Sequence, residues 1–235
     1  MSENLKALLS TPIAHRGLWN STITENTETA FIKAVEGGFS IETDLYMTLD
    51  GQIVCCHDNN LFRLAGKDKC LTNLTLKEIK DINLIGGGKV PTLTELLNVV
   101  NGKVFLLLEI KNQPNKLVVD KVVEILKSYN GKFAIQSFNP FYLARVYKLA
   151  PNFLRGILAD NNPDTNKTLE KWVVKYMPFN FLCKPQFISY NYNGLPLKKC
   201  KRKNLPVIAW TITNKETAEK IKPMANNIIF ENFIP

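Results

Sequence analysis

Short apolar runs that are typical of β-strands alternate with helix-like segments along nearly the whole chain of 235 residues. Strands that alternate with helices form parallel βαβ units, because each helix returns the chain to the start of the next strand. The strands are predicted at residues 12–16, 39–48, 52–57, 104–111, 133–138, 153–158, 186–190, 206–212 and 228–230.

The number of these units predicts a particular closed fold. Eight βα units in roughly 250 residues are the size of a (β/α)8 TIM barrel. The predicted strands exceed eight by one, and the excess is explained by a hairpin turn at residues 48–51 that joins two strands without a helix. We therefore expect a single domain of residues 1–235, with one hairpin arm added to the barrel and a small insertion after the His57 segment, at about 59–89. A doubly wound open sheet is the alternative, but no G-x-G-x-x-G follows the first strand.

The charge balance favours an anionic partner. A formal net charge of +9 suits an anionic substrate, a nucleic acid or an acidic membrane surface. The densest basic cluster, residues 198–203, has no interleaved aromatic residues and precedes an apolar strand. This composition is typical of a solvated helix end, so we expect no nucleic-acid binding.

Two further features bear on the location of the protein. No apolar stretch approaches the roughly 18 residues of a membrane helix, so stable membrane insertion is not expected. The N-terminal residues lack the basic start and the continuous apolar run of a secretory signal. We therefore expect a cytoplasmic protein, whose oligomeric state the sequence leaves open.

The five cysteines have no C-x-x-C pair, which argues against a disulfide framework and a thiolate zinc site. We expect reduced, mostly buried thiols. Cys56 precedes a histidine of interest, but neighbouring side chains on a strand point to opposite faces, so no catalytic role is expected for it.

Polar residues follow or end several predicted strands, at the C-terminal end of the barrel where barrel active sites are built. They are His15 and Arg16 on the first strand, Glu42 and Asp44 on the second, His57 at the end of the hairpin, Glu109 and Lys111 on the fourth, and Trp210 near the end of the eighth. The members of the pairs 42/44 and 109/111 are two residues apart, so the two side chains of each pair project from one face.

The chemistry of these residues points to a phosphate. Three carboxylates form an oxygen-only set suited to Mg²⁺ or Ca²⁺, although salt bridges to Arg16 and Lys111 would satisfy them equally well. Both histidines of the chain converge on the same cavity, which favours a general acid–base pair. The divalent metal ion together with Arg16 and Lys111 suits a phosphate. One histidine would then activate the attacking oxygen, and the other would protonate the leaving alkoxide.

The order of short motifs extends this interpretation. The motifs are His15-Arg16-Gly17, Glu25-Asn26-Thr27, Glu42-x-Asp44, Leu49-Asp50-Gly51, His57-Asp58, Val90-Pro91-Thr92-Leu93-x-Glu95, Glu109-x-Lys111, Ser137-Phe138 and Trp210-Thr211. In this order the chain closely resembles the glycerophosphodiester phosphodiesterases. The resemblance implies a (β/α)8 barrel that hydrolyses glycerophosphodiesters, such as glycerophosphocholine or glycerophosphoethanolamine, to sn-glycerol 3-phosphate and an alcohol.

The resemblance also implies roles for the residues of the site. His15 and His57 match the acid–base pair, Glu42, Asp44 and Glu109 match the ligands of the divalent metal, and Arg16 and Lys111 match the phosphate contacts. Trp210 matches an aromatic wall near the glycerol, although a tryptophan of the barrel core is an equal alternative. Attack by the neighbouring glycerol hydroxyl, through a cyclic phosphate, and direct attack by water both remain open.

Two departures from the family pattern lie near the end of the chain. Thr211-Ile212-Thr213 replaces the usual Thr-Val-Asn, and Phe230-Glu231-Asn232 replaces a usual Thr-Asp-x-Pro. We expect neither to touch the matched acids, bases or ligands, and expect both to change only the substrate pocket near the last strands.

Three other functions are weighed against this one. A lysophospholipase D or phospholipase-type phosphodiesterase on a related barrel requires an apolar loop to meet lipid, for which residues 178–182 are the candidate. A glycosidase would leave both histidines and Lys111 without roles. A catalytically inactive binding barrel is expected to have lost a histidine or a carboxylate, and here every member is present.

Overall fold

The structure of the protein, a computed structural model, describes residues 1–163, 167–197 and 204–235, and of residue 170 it describes the backbone alone. The basic cluster at 198–203, with Cys200 inside it, lies outside the described residues. Its expected solvated character stays a prediction.

Eight parallel strands close into a ring. The strands of the chain are β1 (Ile13–His15), β2 (Ser40–Met47), β3 (Ile53–Cys55), β4 (Leu106–Ile110), β5 (Phe133–Ser137), β6 (Leu154–Ala159), β7 (Phe187–Asn191), β8 (Val207–Ile212) and β9 (Asn227–Phe230). The ring order is β1-β9-β8-β7-β6-β5-β4-β2, and pairing of β1 with β2 closes it. β3 pairs antiparallel with β2 and is the added hairpin arm. The predicted (β/α)8 barrel is confirmed.

Helices surround the ring, and six of the ten described begin at a side-chain cap. They are α1 (Glu3–Ser10), α2 (Glu28–Glu36), α3 (Phe62–Ala65), α4 (Leu76–Lys80), α5 (Leu93–Val100), α6 (Val118–Leu126), α7 (Pro140–Leu149), α8 (Thr168–Tyr176), α9 (Asn180–Cys183) and α10 (Lys215–Ile221). A capping box of Thr92 and Glu95 starts α5, and Asn139 caps α7 ahead of a proline at its first position. Among the described residues, no helix is both long and apolar enough to cross a bilayer.

Apolar side chains fill the N-terminal half of the barrel. Ile13, Phe105, Leu107, Ala134, Leu154, Phe187, Ile208 and Ile229 form one buried cluster with Leu8 of α1. α1 lies across this end, and Asn227 Nδ2 donates to the carbonyl oxygens of Leu8 and Thr11 at 2.7 and 2.8 Å. The apolar filling confines polar side chains to the opposite, C-terminal end of the barrel.

The segment at 59–89 packs against the hairpin through an apolar cluster of its own. Leu61, Leu64, Leu71 and Ile79 meet Tyr46 and Val54 of the hairpin in that cluster. The segment contains α3 and α4, and α3 places Arg63 beside the C-terminal end of the barrel. The division into one domain with an insertion stays a prediction.

Candidate active site

A cavity of about 110 Å³ opens at the C-terminal end of the barrel. Its lining includes His15, Arg16, Glu42, Asp44, His57, Glu109, Lys111 and Trp210. The structure thus brings all eight residues that the sequence singled out into one cavity, and their chemical roles stay predictions.

Three carboxylates meet on one wall of this cavity. Glu42, Asp44 and Glu109 each place an oxygen within 4.8 Å of the others. The register of β2 against β4 sets Asp44 opposite Glu109, and the spacing of two residues puts Glu42 on the same face. The three residues are only 2%, 1% and 7% exposed, so their negative charges face one another largely out of water.

Salt bridges satisfy part of this charge. Lys111 Nζ lies 3.3 Å from Asp44 Oδ1 and 3.1 Å from Glu109 Oε1, and Arg16 Nε lies 3.6 Å from Asp44 Oδ2. Glu42 Oε2 is buried and has no hydrogen-bond partner among the described residues. The salt bridges to Arg16 and Lys111 therefore account for two of the three carboxylates and leave Glu42 Oε2 without a hydrogen bond.

The pKa values of the three carboxyl groups reflect this unequal pairing with cations. Burial raises the pKa of Glu42 well above its usual range, and the charges of Asp44 and Glu109 raise it further. Burial also raises the pKa of Glu109. Burial opposes the charge of Asp44 as well, but Lys111 and other nearby cations outweigh it and lower the pKa of that group. An oxygen-only set with one unpartnered carboxylate oxygen fits a hard divalent cation.

Both histidines are tied to a carboxylate through Nδ1. His15 Nδ1 lies 2.6 Å from Glu231 Oε2, and His57 Nδ1 lies 2.6 Å from Asp58 Oδ1. An ionised carboxylate only accepts, so each Nδ1 must carry the donated hydrogen. In each ring Nε2 is then the nitrogen free for proton transfer, and His15 Nε2 lies 3.9 Å from Glu42 Oε2.

Glu231 is a site residue that sequence analysis misjudged. The departure at 230–232 was expected to touch none of the matched groups, and that expectation is wrong, because Glu231 holds His15. Burial opposes ionisation of Glu231, but its hydrogen bond with His15 and the charge of His15 lower its pKa, which keeps the acceptor charged. A signal was present, since Glu231 directly follows β9 just as other site residues end or follow their strands.

Replacing Glu231 by glutamine is expected to lower kcat about 10- to 100-fold with little change in KM. The amide still accepts from His15 Nδ1, but it no longer stabilises a positive imidazole. Steady-state kinetics measures the effect, and Glu219→Gln on the exposed face of α10 is the matched control. Equal kcat for Glu231→Gln and wild type would contradict this role.

Arg63 links two acidic residues, Glu25 and Asp58, that support the site. Its Nη1 and Nη2 donate to Glu25 at 2.8 and 2.7 Å, and its Nε donates to Asp58 Oδ2 at 2.5 Å. Glu25 also accepts from Arg16 Nη1 at 2.8 Å, and Asp58 holds His57. One guanidinium fork thereby fixes the supports of both a cation and a histidine that line the cavity.

Replacing Arg63 by methionine is expected to lower kcat/KM about 10- to 100-fold, because Arg16 and His57 lose a shared support. Arg63→Lys restores only part of the activity, since an ammonium group cannot fork between two carboxylates. The control is Arg145→Met, which removes a comparable fork onto Asp120 between α6 and α7. An effect no larger than that of the control would refute the positioning role.

Asn26 supports the carboxylates from the loop before α2. It directly precedes Thr27, the cap of that helix. The buried Asn26 adopts φ +52°, accepts from Thr43 Oγ1 at 2.6 Å and donates to Asp44 Oδ2 at 3.2 Å. Asparagine tolerates this left-handed conformation better than most residues, which explains why it suits the position.

The chain turns sharply after β1 at Gly17. Its φ is +81°, and a Cβ there would lie 2.8 Å from the backbone of Ala30. Glycine thus lets α2 approach the end of β1 closely, which places Arg16 against the carboxylates.

Trp210 and Phe138 form the aromatic side of the cavity. Their rings are 5.8 Å apart at 88°, an edge-to-face arrangement. Trp210 Nε1 is buried without a hydrogen-bond partner among the described residues. A buried indole N–H normally finds a partner, so this donor is available to a polar group of a ligand.

Cys56 takes no part in this arrangement. It is buried in the apolar cluster behind the hairpin, and burial raises the pKa of its thiol to about 12. The thiol is therefore protonated near neutral pH, when it would need to be a thiolate to act as a nucleophile.

A (β/α)8 barrel whose strand ends gather acids, cations and histidines in one cavity has the organisation of a barrel enzyme. The sequence model of the glycerophosphoryl diester phosphodiesterase family matches residues 15–234. The chain belongs to this family and is a phosphodiesterase of the hydrolase class.

Individual relatives agree over nearly the whole chain. A glycerophosphodiester phosphodiesterase from Caldanaerobacter subterraneus subsp. tengcongensis is 30% identical over 238 residues, which cover 94% of this chain and 93% of that protein. The glycerophosphodiester phosphodiesterase structure from Thermotoga maritima has a TM-score of 0.74 at 25% identity and covers 94% of each chain. An Oleispira antarctica phosphodiesterase solved with its product sn-glycerol-3-phosphate has a TM-score of 0.81 at 23% identity, covering 96% of this chain and 94% of that one.

Proposed function

We propose that this protein hydrolyses small glycerophosphodiesters, such as glycerophosphocholine and glycerophosphoethanolamine, to sn-glycerol 3-phosphate and an alcohol in a reaction that requires Mg²⁺ or Ca²⁺. The observation that supports it best is the meeting of three carboxylates, two cations and two carboxylate-bound histidines in one cavity. Membership of the family supports the reaction class, and the product bound to the Oleispira antarctica phosphodiesterase supports the product.

Two cations that line the cavity bind the phosphate. Arg16 uses one terminal nitrogen on Glu25, while its Nε is buried without a hydrogen-bond partner among the described residues. Lys111 Nζ adds a second positive charge beside Glu109. When a divalent cation is bound by Glu42, Asp44 and Glu109, it supplies charge stabilisation at the phosphate oxygens. Arg16 and Lys111 hold the phosphate in line with the histidines.

The two Nε2 atoms move the protons. Burial is the main cause that lowers the pKa of His57, with Lys111 and Arg16 adding to it. A neutral His57 suits the base that removes a proton from the attacking oxygen, and His15 then protonates the leaving alkoxide. The attacking oxygen is either water or the neighbouring glycerol hydroxyl, which would form a cyclic phosphate that water then opens.

Trp210 completes the binding of the glycerol end. Its unpartnered Nε1–H donates to a glycerol hydroxyl, and its ring covers the carbon chain. Neither group selects between choline and ethanolamine. The protein is proposed to act in the cytoplasm on this small substrate, without nucleic acid and without stable membrane insertion.

Product identification by phosphorus NMR tests this proposal. With glycerophosphocholine and Mg²⁺ or Ca²⁺, the diester resonance should be replaced by that of glycerol 3-phosphate, with choline released in equal amount. Phosphocholine as the product would mean that the other ester bond breaks. No turnover by a folded, metal-loaded protein would instead favour the inactive binding barrel.

A further inference from the structure

Three successive helices have a large, exposed apolar side chain at their start. Leu117 directly precedes α6, and Phe141 and Leu169 are the second residues of α7 and α8. Their exposed fractions are 62%, 58% and 72%. In a βα barrel each helix starts near the C-terminal end of the preceding strand, so these residues lie at the same end of the barrel as the catalytic cavity.

Two cavities show that these three side chains are neighbours. Leu117 and Phe141 both line a cavity of about 400 Å³ at the starts of α6 and α7. Phe141 and Leu169 both line another, of about 670 Å³, between α7 and α8. This second cavity also reaches His57 and Trp210 of the catalytic cavity. The three apolar side chains therefore form a row beside the active site.

α8 extends this row along its length. Leu169, Trp172 and Tyr176 are three and four residues apart, so they share one face of the helix. The rings of Trp172 and Tyr176 lie 6.3 Å apart. Among the described side chains of α8 none is buried, whereas α6 buries five apolar residues. We name the surface formed by Leu117, Phe141, Leu169, Trp172 and Tyr176 the apolar rim. An exposed apolar surface of this kind marks an interaction site.

Lysines accompany the apolar rim. Lys116 adjoins the first residue of the rim, and Lys171 and Lys175 lie on α8. From residue 167 to 197 the sequence contains four lysines and one acidic residue. Leucine, tryptophan and phenylalanine beside lysines are typical of surfaces that bind an anionic membrane, since the apolar groups enter the headgroup region and the lysines contact anionic headgroups.

We propose that the apolar rim binds this protein reversibly to anionic phospholipid membranes, with the catalytic end of the barrel toward the lipid. No segment crosses the bilayer in this arrangement, and the substrate stays the water-soluble diester. A nucleic acid matches the rim less well, because Leu117 and Leu169 offer no ring on which a base can stack. A second copy of the chain also matches less well, because it would bring the same lysines together.

Vesicle sedimentation at low salt tests the proposal. Vesicles of phosphatidylcholine with about one-third phosphatidylglycerol are compared with vesicles of phosphatidylcholine alone. We expect binding at least about tenfold tighter to the anionic vesicles, because each lysine near an anionic surface strengthens binding about fivefold. Salt at about 0.5 M should remove most of this preference, since it screens charges beyond a few ångströms.

Substitutions in the rim test its apolar part. Phe141→Glu and Leu169→Glu each remove an apolar group and add a negative charge, and each should weaken binding to anionic vesicles about tenfold or more. The matched control is Ile85→Glu in the segment at 59–89, because Ile85 is similarly exposed at 65% and lies outside the rim. The control should bind almost as the wild type does.

A second pair of variants tests the charges. The double variant Lys116→Gln/Lys171→Gln should bind anionic vesicles about 25-fold more weakly than the wild type. The control Lys77→Gln/Lys103→Gln removes the same net charge at exposed lysines of α4 and of the segment before β4. It should weaken binding far less, because these lysines lie away from the rim.

Several results would overturn the inference. They are failure of the wild type to bind anionic vesicles, equal binding to both kinds of vesicle, and equal losses in the rim variants and their controls. Binding of a single-stranded oligonucleotide in place of vesicles, lost in Lys116→Gln/Lys171→Gln, would assign the rim to nucleic acid instead. The measurement involves no turnover, so hydrolysis of glycerophosphocholine in vesicle-free solution tests the proposed function separately.

Discussion

Replacing His15 or His57 by asparagine is expected to lower kcat about 10²- to 10⁴-fold, with KM changed much less. Asparagine can keep a hydrogen bond to Glu231 or Asp58, so the cavity is preserved while proton transfer at Nε2 is lost. The change in kcat without a comparable change in KM distinguishes a proton-transfer group from a group that only binds substrate.

The two histidine variants also serve as controls for each other. Each should retain the wild-type circular dichroism spectrum and melting temperature, because both rings lie in the cavity rather than in the apolar core. If the two act as one unit, the double variant should be about as slow as the slower single variant. Full activity in either folded variant would contradict the assigned roles.

Replacing Glu42 by glutamine is expected to abolish stabilisation by divalent cations. At a concentration one hundred times Kd, a bound metal stabilises the wild type by about 2.7 kcal/mol. For a chain of this size that corresponds to roughly 5–10 °C in melting temperature. The variant should show almost none of this gain, and its phosphodiesterase activity should fall with it.

The same substitution should not destabilise the metal-free protein. Burial, Asp44 and Glu109 raise the pKa of Glu42, so its ionisation counts against the folded state without metal. This penalty is absent below the pKa of the unfolded chain and grows as pH rises toward the folded pKa. The advantage of Glu42→Gln over metal-free wild type should therefore increase with pH and then level off.

Melting curves with and without Mg²⁺ or Ca²⁺ measure both effects. Glu124→Gln, at an exposed glutamate of α6, is the matched control and should respond to metal as the wild type does. A variant at position 42 that retains the full metal-induced increase would remove Glu42 from the ligand set.

Much of the fold was predictable because local signals agree with one another. The turn at 48–51 predicted that one hairpin arm is an addition, and the structure shows that this arm is β3. Side-chain caps at Thr92 and Asn139 mark the starts of α5 and α7. α1 was not predicted, and in the structure it is held by contacts with β9 at the other end of the chain. Its position depends on closure of the barrel, which no local pattern reports.

The residues of the site were also predictable only in part. Residues that end or follow strands, such as His15 and Lys111, were found because strand ends in a barrel meet at one place. The support from Glu231 was missed because His15 lies 216 residues away in sequence, and the link from Arg63 to Glu25 was missed because it spans 38 residues. The cavity between α7 and α8 was missed for a related reason, since it does not lie on any one element.

The most direct test is release of glycerol 3-phosphate from glycerophosphocholine by protein stripped of metal with a chelator. We predict no release in the stripped protein, recovery on addition of Mg²⁺ or Ca²⁺, and no recovery in Glu42→Gln under the same conditions. Undiminished release by the stripped wild type would contradict a metal-dependent site at Glu42, Asp44 and Glu109.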